Sequence, residues 1–376
     1  MKNKPDVYLL PPDGFRDLPD IMEKAGIKNI VKKDDFAAVK VHFGEKGNKG
    51  YVKPREIKPV IKKLREITKN VFITDANTIY RGERTDAVSH LMVAAEHNFH
   101  PKYLGVPVII ADGLRGKSHF EVEIGQKHFK KVKIAESIHN SDVIIAISHF
   151  KGHELCGIGG AIKNLGMGCA SRAGKYEQHN SVVPKLTVAN CTACGACVKW
   201  CAGGALKLVP SNVIARPKAE AIPLKRVGSG DCRAPSGLAM TIHLDPVKCT
   251  GCGQCILACN FKVFNIPWNE NAGVVQEKIA EYALGVLKDK RSFYINFLTF
   301  LTPQCDCFKT QTKPLMPDIG ILVSTDPVAI DKASMDLVEK HAGRDIFKEH
   351  CGMDGNLQIN HAAKLGLGKL GYNLIR

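Results

Sequence analysis

Residues 191–201 read Cys-Thr-Ala-Cys-Gly-Ala-Cys-Val-Lys-Trp-Cys, and residues 249–259 read Cys-Thr-Gly-Cys-Gly-Gln-Cys-Ile-Leu-Ala-Cys. Both stretches have the spacing C-x2-C-x2-C-x3-C, which is typical of bacterial-type [4Fe–4S] sites. Three cysteines spaced in this way along a tight turn present three thiolates to three corners of a cube. Gly195, Gly251 and Gly253 carry no side chain, so backbone N–H groups can approach the sulfurs. The two stretches therefore predict two [4Fe–4S] clusters.

The fourth cysteine of each stretch begins a helix that points away, and in two-cluster proteins it binds the other cluster. We therefore predict two ligand sets, which are Cys191, Cys194, Cys197 and Cys259 for one cluster and Cys249, Cys252, Cys255 and Cys201 for the other. Residues 188–268 thus resemble the two-[4Fe–4S] ferredoxin family. They depart from it in having Ala202 and Asn260 in place of the usual proline, and in an extra loop over 211–240. Zinc also binds four-cysteine sites, but the doubled three-plus-one spacing favours iron–sulfur clusters.

Outside this segment the sequence alternates between apolar and amphipathic runs. The apolar runs predict strands at Phe36–Val41, Val71–Thr74, Val108–Ala111, Val143–Ile147, Phe293–Thr299 and Ile319–Val323. The amphipathic runs predict helices at Pro54–Lys69, Thr85–Asn98, Lys133–Asn140, Val275–Leu287, Pro327–Lys340 and about Leu357–Leu365. This alternation predicts an α/β fold with a mostly parallel sheet covered on both faces. We expect one discontinuous α/β domain, 1–187 and 269–376, with an α+β ferredoxin-like two-cluster domain inserted at 188–268.

Polar residues follow all six predicted strands, where ligand sites of open α/β sheets form. The last strand, for example, leads to Ser324-Thr325-Asp326. The histidines and thiols of this edge form a candidate strand-end site, which consists of His42, His149, His153, Cys156, Cys305 and Cys307. Its histidines are candidate catalytic groups, and Cys156, Cys305 and Cys307 are a candidate third metal site for an unknown additional metal. The alternative is a set of capping carboxylates and hydrogen-bonded histidines.

A glycine-rich stretch, Gly157–Gly168, contains Lys163 as a further candidate catalytic group. It does not fit a dinucleotide site, because the glycines miss the G-x-G-x-x-G positions and no ribose-binding acidic residue is correctly placed. It predicts an anion or cofactor cradle; the alternative is a tight turn with a surface lysine. His149 and His153 are spaced as a helical metal pair, but Gly152 argues against a helix there.

The chain has 376 residues, 44% hydrophobic composition, 14 cysteines and a formal net charge of +16. This composition excludes disordered and fibrous classes. No secretory signal and no apolar run of membrane-spanning length is visible, so we expect a cytoplasmic protein whose cysteines bind metals or do redox chemistry. The basic stretch Lys46–Lys69 is compatible with a nucleic-acid face. Apolar residues at helical spacing within Pro54–Lys69 favour the solvated face of a helix instead.

Three motifs resemble the uncharacterised "domain of unknown function 362" proteins. They are His149-Phe-Lys-Gly-His-Glu-Leu-Cys-Gly-Ile-Gly-Gly-Ala-Ile-Lys-Asn-Leu-Gly-Met-Gly168, Cys305-Asp306-Cys307, and Asp318-Ile-Gly-Ile-Leu-Val-Ser-Thr-Asp-Pro-Val-Ala-Ile-Asp331. The resemblance covers nearly the whole chain and implies iron–sulfur binding in a redox context, without an assigned reaction. More locally, Gly159–Gly168 is similar to the cofactor-lysine loop of nickel-pincer lactate racemases, which implies that Lys163 falls on the lysine position.

Three functions follow from these patterns, in descending order of support. The first is an iron–sulfur oxidoreductase that transfers electrons between two [4Fe–4S] clusters and the strand-end site, with a redox partner protein and a small-molecule substrate. The second is a non-catalytic ferredoxin-type electron or metal carrier whose α/β domain is a docking platform. The third is a nucleic-acid binder that uses Lys46–Lys69. None of the three involves a membrane.

Overall fold

The computed structural model describes residues 4–80, 82–179, 183–201, 204–210, 240–249, 254–265, 272–308 and 313–376. The chain divides into two compact units. The larger unit comprises Met1–His179 with Glu270–Arg376, and the smaller unit comprises Asn180–Asn269. Some residues of the sequence predictions lie outside the described residues, namely 211–239 of the extra loop, Ala202, Gly251, Cys252 and Gly253.

The described residues contain strands of two to eight residues. They are β1 Asp6–Leu10, β2 Ala37–Lys40, β3 Val71–Asp75, β4 Val108–Ile110, β5 His119–Glu123, β6 Lys131–Ala135, β7 Val143–His149, β8 Lys151–His153, β9 Gly157–Gly159, β10 Lys185–Leu186, β11 Leu206–Pro210, β12 Met240–Leu244, β13 Phe264–Asn265, β14 Arg291–Leu298, β15 Gly320–Ser324 and β16 Asn373–Ile375. All six strands predicted from apolar runs are present.

The α-helices of the described residues are α1 Leu18–Lys24, α2 Ile27–Ile30, α3 Pro54–Arg65, α4 Ala87–Glu96, α5 Pro101–Leu104, α6 Glu136–His139, α7 Ala161–Gly166, α8 Arg172–His179, α9 Ala196–Trp200, α10 Gln254–Ala258, α11 Ala272–Leu287, α12 Pro327–Ala342, α13 Ile346–Cys351 and α14 Asn356–Lys364. Short 3-10 turns cover Gly14–Arg16 and Val188–Asn190. Within the described ranges, none of these helices combines the length and the apolar character needed to cross a membrane.

Eight strands of the larger unit form one sheet, in the order β16-β1-β15-β14-β7-β2-β3-β4. Neighbouring strands are parallel throughout the series β14-β7-β2-β3-β4, and β1 is parallel to β16. β15 runs antiparallel to both β1 and β14. The predicted α/β class with a mostly parallel sheet is therefore confirmed.

Two separate hydrophobic cores cover the two faces of this sheet. Ile145 of β7 belongs to one core together with Val60 and Leu64 of α3. Ile144, the preceding residue, belongs to the other core together with Ile162 of α7 and Ile279 of α11. Because successive side chains of a strand point to opposite faces, a strand covered on both faces must be apolar throughout. This explains the uninterrupted apolar runs in the sequence.

The predicted helix over Lys133–Asn140 is wrong in its first part. Lys131–Ala135 is a strand that pairs antiparallel with His119–Glu123, and helix α6 begins only at Glu136. The reason is the period of burial, because Val132 and Ile134 are buried while Lys131 is exposed, which is the two-residue alternation of a strand.

The described part of the smaller unit contains two short α-helices and two antiparallel strand pairs. β10 pairs with β13, the first strand with the last, and β11 pairs with β12. α9 follows the first cysteines of one stretch, α10 lies within the other, and the two helices contact each other. The two halves of this unit therefore repeat one order of strand, cysteines, helix and strand.

Candidate functional site

The carboxyl ends of four parallel strands bring the predicted polar groups to one edge of the main sheet. His42 follows β2, Asp75 ends β3, His149 ends β7, and Cys305–Cys307 follows β14. These strands are neighbours and point the same way, so their ends meet as predicted for an open α/β sheet.

The expectation that the sixth strand contributes to this edge is wrong. β15 is antiparallel to β14, so Ser324-Thr325-Asp326 leaves the sheet at the opposite edge. Asp326 instead caps α12, where its carboxylate accepts hydrogen bonds from the backbone N–H groups of Val328 at 2.9 Å and Ala329 at 2.8 Å. The predicted helix start at Pro327 is confirmed.

His149 fixes the position of Asp306, the residue between the two thiols of Cys305-Asp306-Cys307. Its Nδ1 donates to the Asp306 carboxylate at 3.0 Å, and its Nε2 lies 3.0 Å from the carbonyl oxygen of Thr299. Lys151 Nζ lies 3.1 Å from the same carboxylate. Burial alone would raise the pKa of Asp306, but the charges of His149 and Lys151 hold it well below its usual range. Both ring nitrogens of His149 face oxygen acceptors, so in this structure it orients the turn and has no nitrogen left for a metal.

The thiols of Cys305 and Cys307 form a hydrogen-bonded pair. A turn closed by the backbone N–H of Phe308 and the carbonyl of Cys305, at 3.2 Å, brings the two side chains together. Cys307 Sγ also lies 3.5 Å from His42 Nε2 and 3.9 Å from Arg84 Nη2. Cys305 is buried, whereas Cys307 keeps partial exposure. The arrangement is a dithiol whose outer sulfur faces an imidazole and a guanidinium.

The shared proton and the nearby lysines separate the acidities of the two thiols. The hydrogen bond from Cys307 lowers the pKa of Cys305 to about 6 against the opposing effect of burial, and the charges of Lys163 and Lys151 lower it further. The same hydrogen bond, together with burial, raises the pKa of Cys307 to about 11. At neutral pH the pair therefore holds one proton and one negative charge.

Alkylation should reveal this low pKa. Because the thiolate is the nucleophile and the pair shares one proton, labelling of the pair by iodoacetamide at the partly exposed Cys307 should rise with pH through about 6, while the buried Cys156 should stay unlabelled until far higher pH, since burial raises its pKa to about 12. The measurement is mass spectrometry of the peptide that contains Cys305 and Cys307 over a pH series. Lys163→Met should shift the midpoint of the pair upward, and Lys28→Met, on the exposed surface, should not. A wild-type midpoint near the ordinary thiol value of about 8.5 would contradict the prediction.

Lys163 lies in α7, which begins after Gly160, so the glycine-rich stretch is not a loop throughout. Burial alone would lower the pKa of Lys163. The negative charges of Cys305, Cys156 and Cys307 have the larger effect and raise it. Burial and the charge of Lys163 lower the pKa of His153 to about 3, which keeps this imidazole neutral. The charge of Lys163 therefore interacts with all three predicted thiols of the strand-end site.

Asp331 holds α7 in place from the neighbouring helix α12. Its buried carboxylate accepts hydrogen bonds from the backbone N–H groups of Ala161 at 2.7 Å and Ile162 at 2.9 Å, and from Asn296 Nδ2 at 2.8 Å. A Cβ atom at Gly160 would lie 2.4 Å from this carboxylate, so only glycine fits there. Asp331 therefore caps the helix that carries Lys163.

A buried ionic network beneath His42 was missed by sequence reasoning. Lys40 Nζ lies 3.0 Å from Asp75 and 2.9 Å from Asn164 Oδ1, and Arg84 Nη1 lies 3.2 Å from Asp75. Arg84 Nη2 also donates to the Tyr80 hydroxyl at 2.6 Å. The available signal was Lys40, a charged residue at the end of an otherwise apolar strand. The network holds Arg84 beside the Cys307 sulfur.

In the smaller unit, four cysteines line one cavity, here called the cluster cavity. They are Cys191, Cys194, Cys197 and Cys259, and the apolar wall includes Leu208, Ile242, Phe261, Val263 and Phe264. Burial and the three neighbouring thiols raise the pKa of Cys197 to about 11. This is the set that the three-plus-one rule assigns to one cluster.

Within the described residues, no group of three or more His, Cys, Asp or Glu side chains meets the geometry of a single metal ion. A [4Fe–4S] cluster has a different requirement, because each thiolate binds a different iron and the four sulfurs stay farther apart. One backbone N–H group points at a sulfur in each predicted set, from Ala193 to Cys191 at 3.4 Å and from Ala205 to Cys201 at 3.2 Å. At the cluster cavity, the four thiols and the N–H group of Ala193 form a donor set of the kind that a [4Fe–4S] cluster takes. Of the second ligand set, Cys201, Cys249 and Cys255 are described, and Cys252 is not.

The family model described as Domain of unknown function (DUF362) matches residues 37–336. The chain belongs to this family. The match includes every residue of the strand-end site, the cluster cavity and Asp331, so the resemblance identified from the sequence motifs is confirmed for DUF362.

Two solved structures are similar to this DUF362 chain at low identity. The lactate racemase apoprotein from Thermoanaerobacterium thermosaccharolyticum is 16% identical over 46% of this chain and 41% of the racemase, with a TM-score of 0.31. A crystal structure of a protein from Thermotoga maritima is 12% identical over 92% of this chain and 61% of its own length, with a TM-score of 0.38. The DUF362 chain thus spans less than two thirds of either protein. Comparison with curated proteins gives no match.

Proposed function

We propose that this DUF362 protein binds two [4Fe–4S] clusters in its smaller unit and transfers electrons to or from the strand-end site, as an iron–sulfur oxidoreductase. The observation that carries the proposal is the cluster cavity, where Cys259 joins Cys191, Cys194 and Cys197. These cysteines come from two stretches far apart in the sequence. The rule for two-cluster ferredoxins names the same four as one ligand set.

The chemistry of the donor set favours a cluster over zinc. A structural zinc ion needs four ligands at about 2.0–2.3 Å from one centre. Here the four thiols surround a cavity whose other side chains are aliphatic and aromatic. Backbone N–H groups directed at sulfur spread the negative charge of a cluster's thiolates. Clusters held in this way supply electrons one at a time, which is the chemistry that a redox function needs.

Metal analysis tests the proposal directly. Anaerobically purified protein should contain about eight iron atoms per chain and show the absorption and reduced-state paramagnetic signals of [4Fe–4S] clusters. A larger metal content would point to a further metal at Cys156, Cys305 and Cys307. Recovery of zinc alone, without iron, would contradict the proposal.

The second candidate is a non-catalytic carrier. It is supported by the compactness of the smaller unit, which forms a body of its own. In that case Cys305→Ser and Cys307→Ser should leave cluster content and electron donation to a dye unchanged. For the oxidoreductase, these variants should keep the clusters and lose turnover with the substrate.

The larger unit also carries a basic groove that suits an acidic redox partner. Its cations are Arg16, Arg55, Lys58, Lys62, Arg65 and Lys102, and none of the described residues that line it is acidic. Four of these cations lie on the exposed face of α3, whose other face is buried, as predicted from the helical spacing. Surfaces of one sign steer oppositely charged partners in a salt-dependent way. A nucleic acid is the alternative ligand, and failure to bind duplexes at low salt would remove it.

A further inference from the structure

We propose that Cys305 and Cys307 form a reversible dithiol–disulfide couple that reduces an anionic low-molecular-weight disulfide. The inference rests on the proposed function only for the source of the electrons that restore the dithiol. It assigns to the strand-end site a sulfur substrate and a two-electron step. It also gives the three-residue motif Cys305-Asp306-Cys307 a role that does not require a metal.

The two cysteines are held in one tight turn. Only Asp306 separates them in the sequence, and the backbone N–H of Phe308 donates to the carbonyl oxygen of Cys305 at 3.2 Å and closes the turn. Asp306, between them, is held by His149 and Lys151 at 3.0 and 3.1 Å. The disulfide therefore forms from a fixed turn with little movement of the backbone, as disulfide geometry requires.

The two sulfurs differ in their access to solvent. Cys305 is buried and Cys307 is partly exposed, beside the half-buried imidazole of His42. In thiol–disulfide exchange an accessible sulfur attacks the substrate and a second sulfur resolves the mixed disulfide. The structure assigns Cys307 to the attack and Cys305 to the resolution.

Hydrogen-bond donors and cations surround the pair. Arg84 Nη2 lies 3.9 Å from Cys307 Sγ, and His42 Nε2 lies 3.5 Å from it. His42 Nδ1 accepts a hydrogen bond from the backbone N–H of Gly44 at 3.0 Å, so the proton of the neutral ring is on Nε2 and points at sulfur. The charges of Lys163 and Lys151 also act on Cys305. Positive surroundings favour the thiolate form that attacks a disulfide, and they favour a substrate with negative charges.

The reaction balances in two steps. In the first step Cys307 attacks one sulfur of the substrate while its proton passes to Cys305. A bond forms between Cys307 and the substrate sulfur, the S–S bond of the substrate breaks, and the first product leaves as a thiolate. Cys305 then attacks Cys307, the mixed disulfide breaks, and the second product leaves as a thiol with the proton of Cys305. The substrate gains two electrons and the pair loses two. A dithiol reductant, or a one-electron donor acting twice, restores the pair with two electrons and one proton.

The experiment uses the full chain, purified anaerobically, with its iron content measured first. The protein is mixed with oxidised glutathione, quenched in acid, and alkylated, and the peptide that contains both cysteines is analysed by mass spectrometry. We expect an internal Cys305–Cys307 disulfide and about two equivalents of reduced glutathione per chain. Cystamine, a cationic disulfide, should react more slowly. Dithiothreitol should restore both thiols.

Variants separate the two roles. Cys305→Ser should stop at a stable glutathione adduct on Cys307, and Cys307→Ser should release no glutathione from this site. Cys351→Ser, which changes a cysteine outside the strand-end site, should behave as the wild type. Two alkylated thiols in the wild type, or no adduct in Cys305→Ser, would overturn the inference, as would a metal held by these sulfurs. If the protein contains about eight iron atoms per chain but forms no Cys305–Cys307 disulfide, only this inference is rejected. If the disulfide forms but the protein contains no iron, only the proposed clusters are rejected.

Discussion

Replacing Cys259 by alanine is expected to remove one cluster and lower the iron content from about eight to about four atoms per chain. The reason is that Cys259 lines the cluster cavity with Cys191, Cys194 and Cys197, and a cube that loses one thiolate is no longer held on all four irons. Iron analysis and the absorption of the clusters measure the effect. Cys351→Ala, in the larger unit, is the matched control and should keep all the iron.

Double variants distinguish crossed ligation from ligation within each stretch. If the ligand sets are crossed, Cys197→Ala with Cys259→Ala damages a single cluster and leaves about half of the iron. Cys197→Ala with Cys201→Ala then damages both clusters and leaves little iron. Ligation within each stretch predicts the reverse order of the two double variants, so that result would contradict the ligand sets proposed from the spacing.

The central strands β2, β3, β7, β14 and β15 could be predicted because each is covered on both faces, whereas β1 and β16, which are partly or fully exposed, were not predicted. Val143 and Ile145 enter one core, and Ile144 enters the other, so the apolar run is visible in the sequence without any knowledge of the neighbouring strands. The direction of β15 was not predicted, because periodicity contains no direction. A usable signal was the segment before it, where Pro303, Pro314 and Pro317 leave no room for the crossover helix that a parallel connection needs.

The contacts that build the strand-end site could not be predicted from the sequence. Asp331 binds a backbone group 170 residues away, and Cys307 meets His42 across 265 residues. Such pairs depend on which strands become neighbours and on how the intervening chain returns. The residue types at the strand ends were visible, and the topological rule that collects them there is general. The roles of His149 as an anchor and of Arg84 as the cation beside sulfur required the structure.

Replacing Asp331 by alanine is expected to lower the free energy of unfolding by about 3 kcal/mol or more, because an unsatisfied buried donor costs about 1–3 kcal/mol and three donors lose their acceptor. The backbone N–H groups of Ala161 and Ile162 and the amide of Asn296 would each lose an acceptor. Urea unfolding followed by circular dichroism measures the change. Asp336→Ala is the matched control on the same helix, because Asp336 is a partly exposed partner of Lys332 and such pairs contribute about 0–1 kcal/mol.

The dependence of this effect on pH identifies the charged carboxylate as its origin. Burial raises the pKa of Asp331 from 3.8 to about 6, although three hydrogen bonds oppose the rise. Between these values the folded state binds a proton that the unfolded state releases, so this group makes the free energy of unfolding fall as pH rises from about 4 to about 6 and leaves it constant above. Asp331→Asn cannot titrate and should lack this decline. Parallel stability curves for the wild type and Asp331→Asn between about pH 4 and 6 would contradict the raised pKa of Asp331. A difference confined to this pH range would show that the carboxylate that caps α7 becomes charged by neutral pH in spite of its burial. This charged carboxylate caps the helix that carries Lys163.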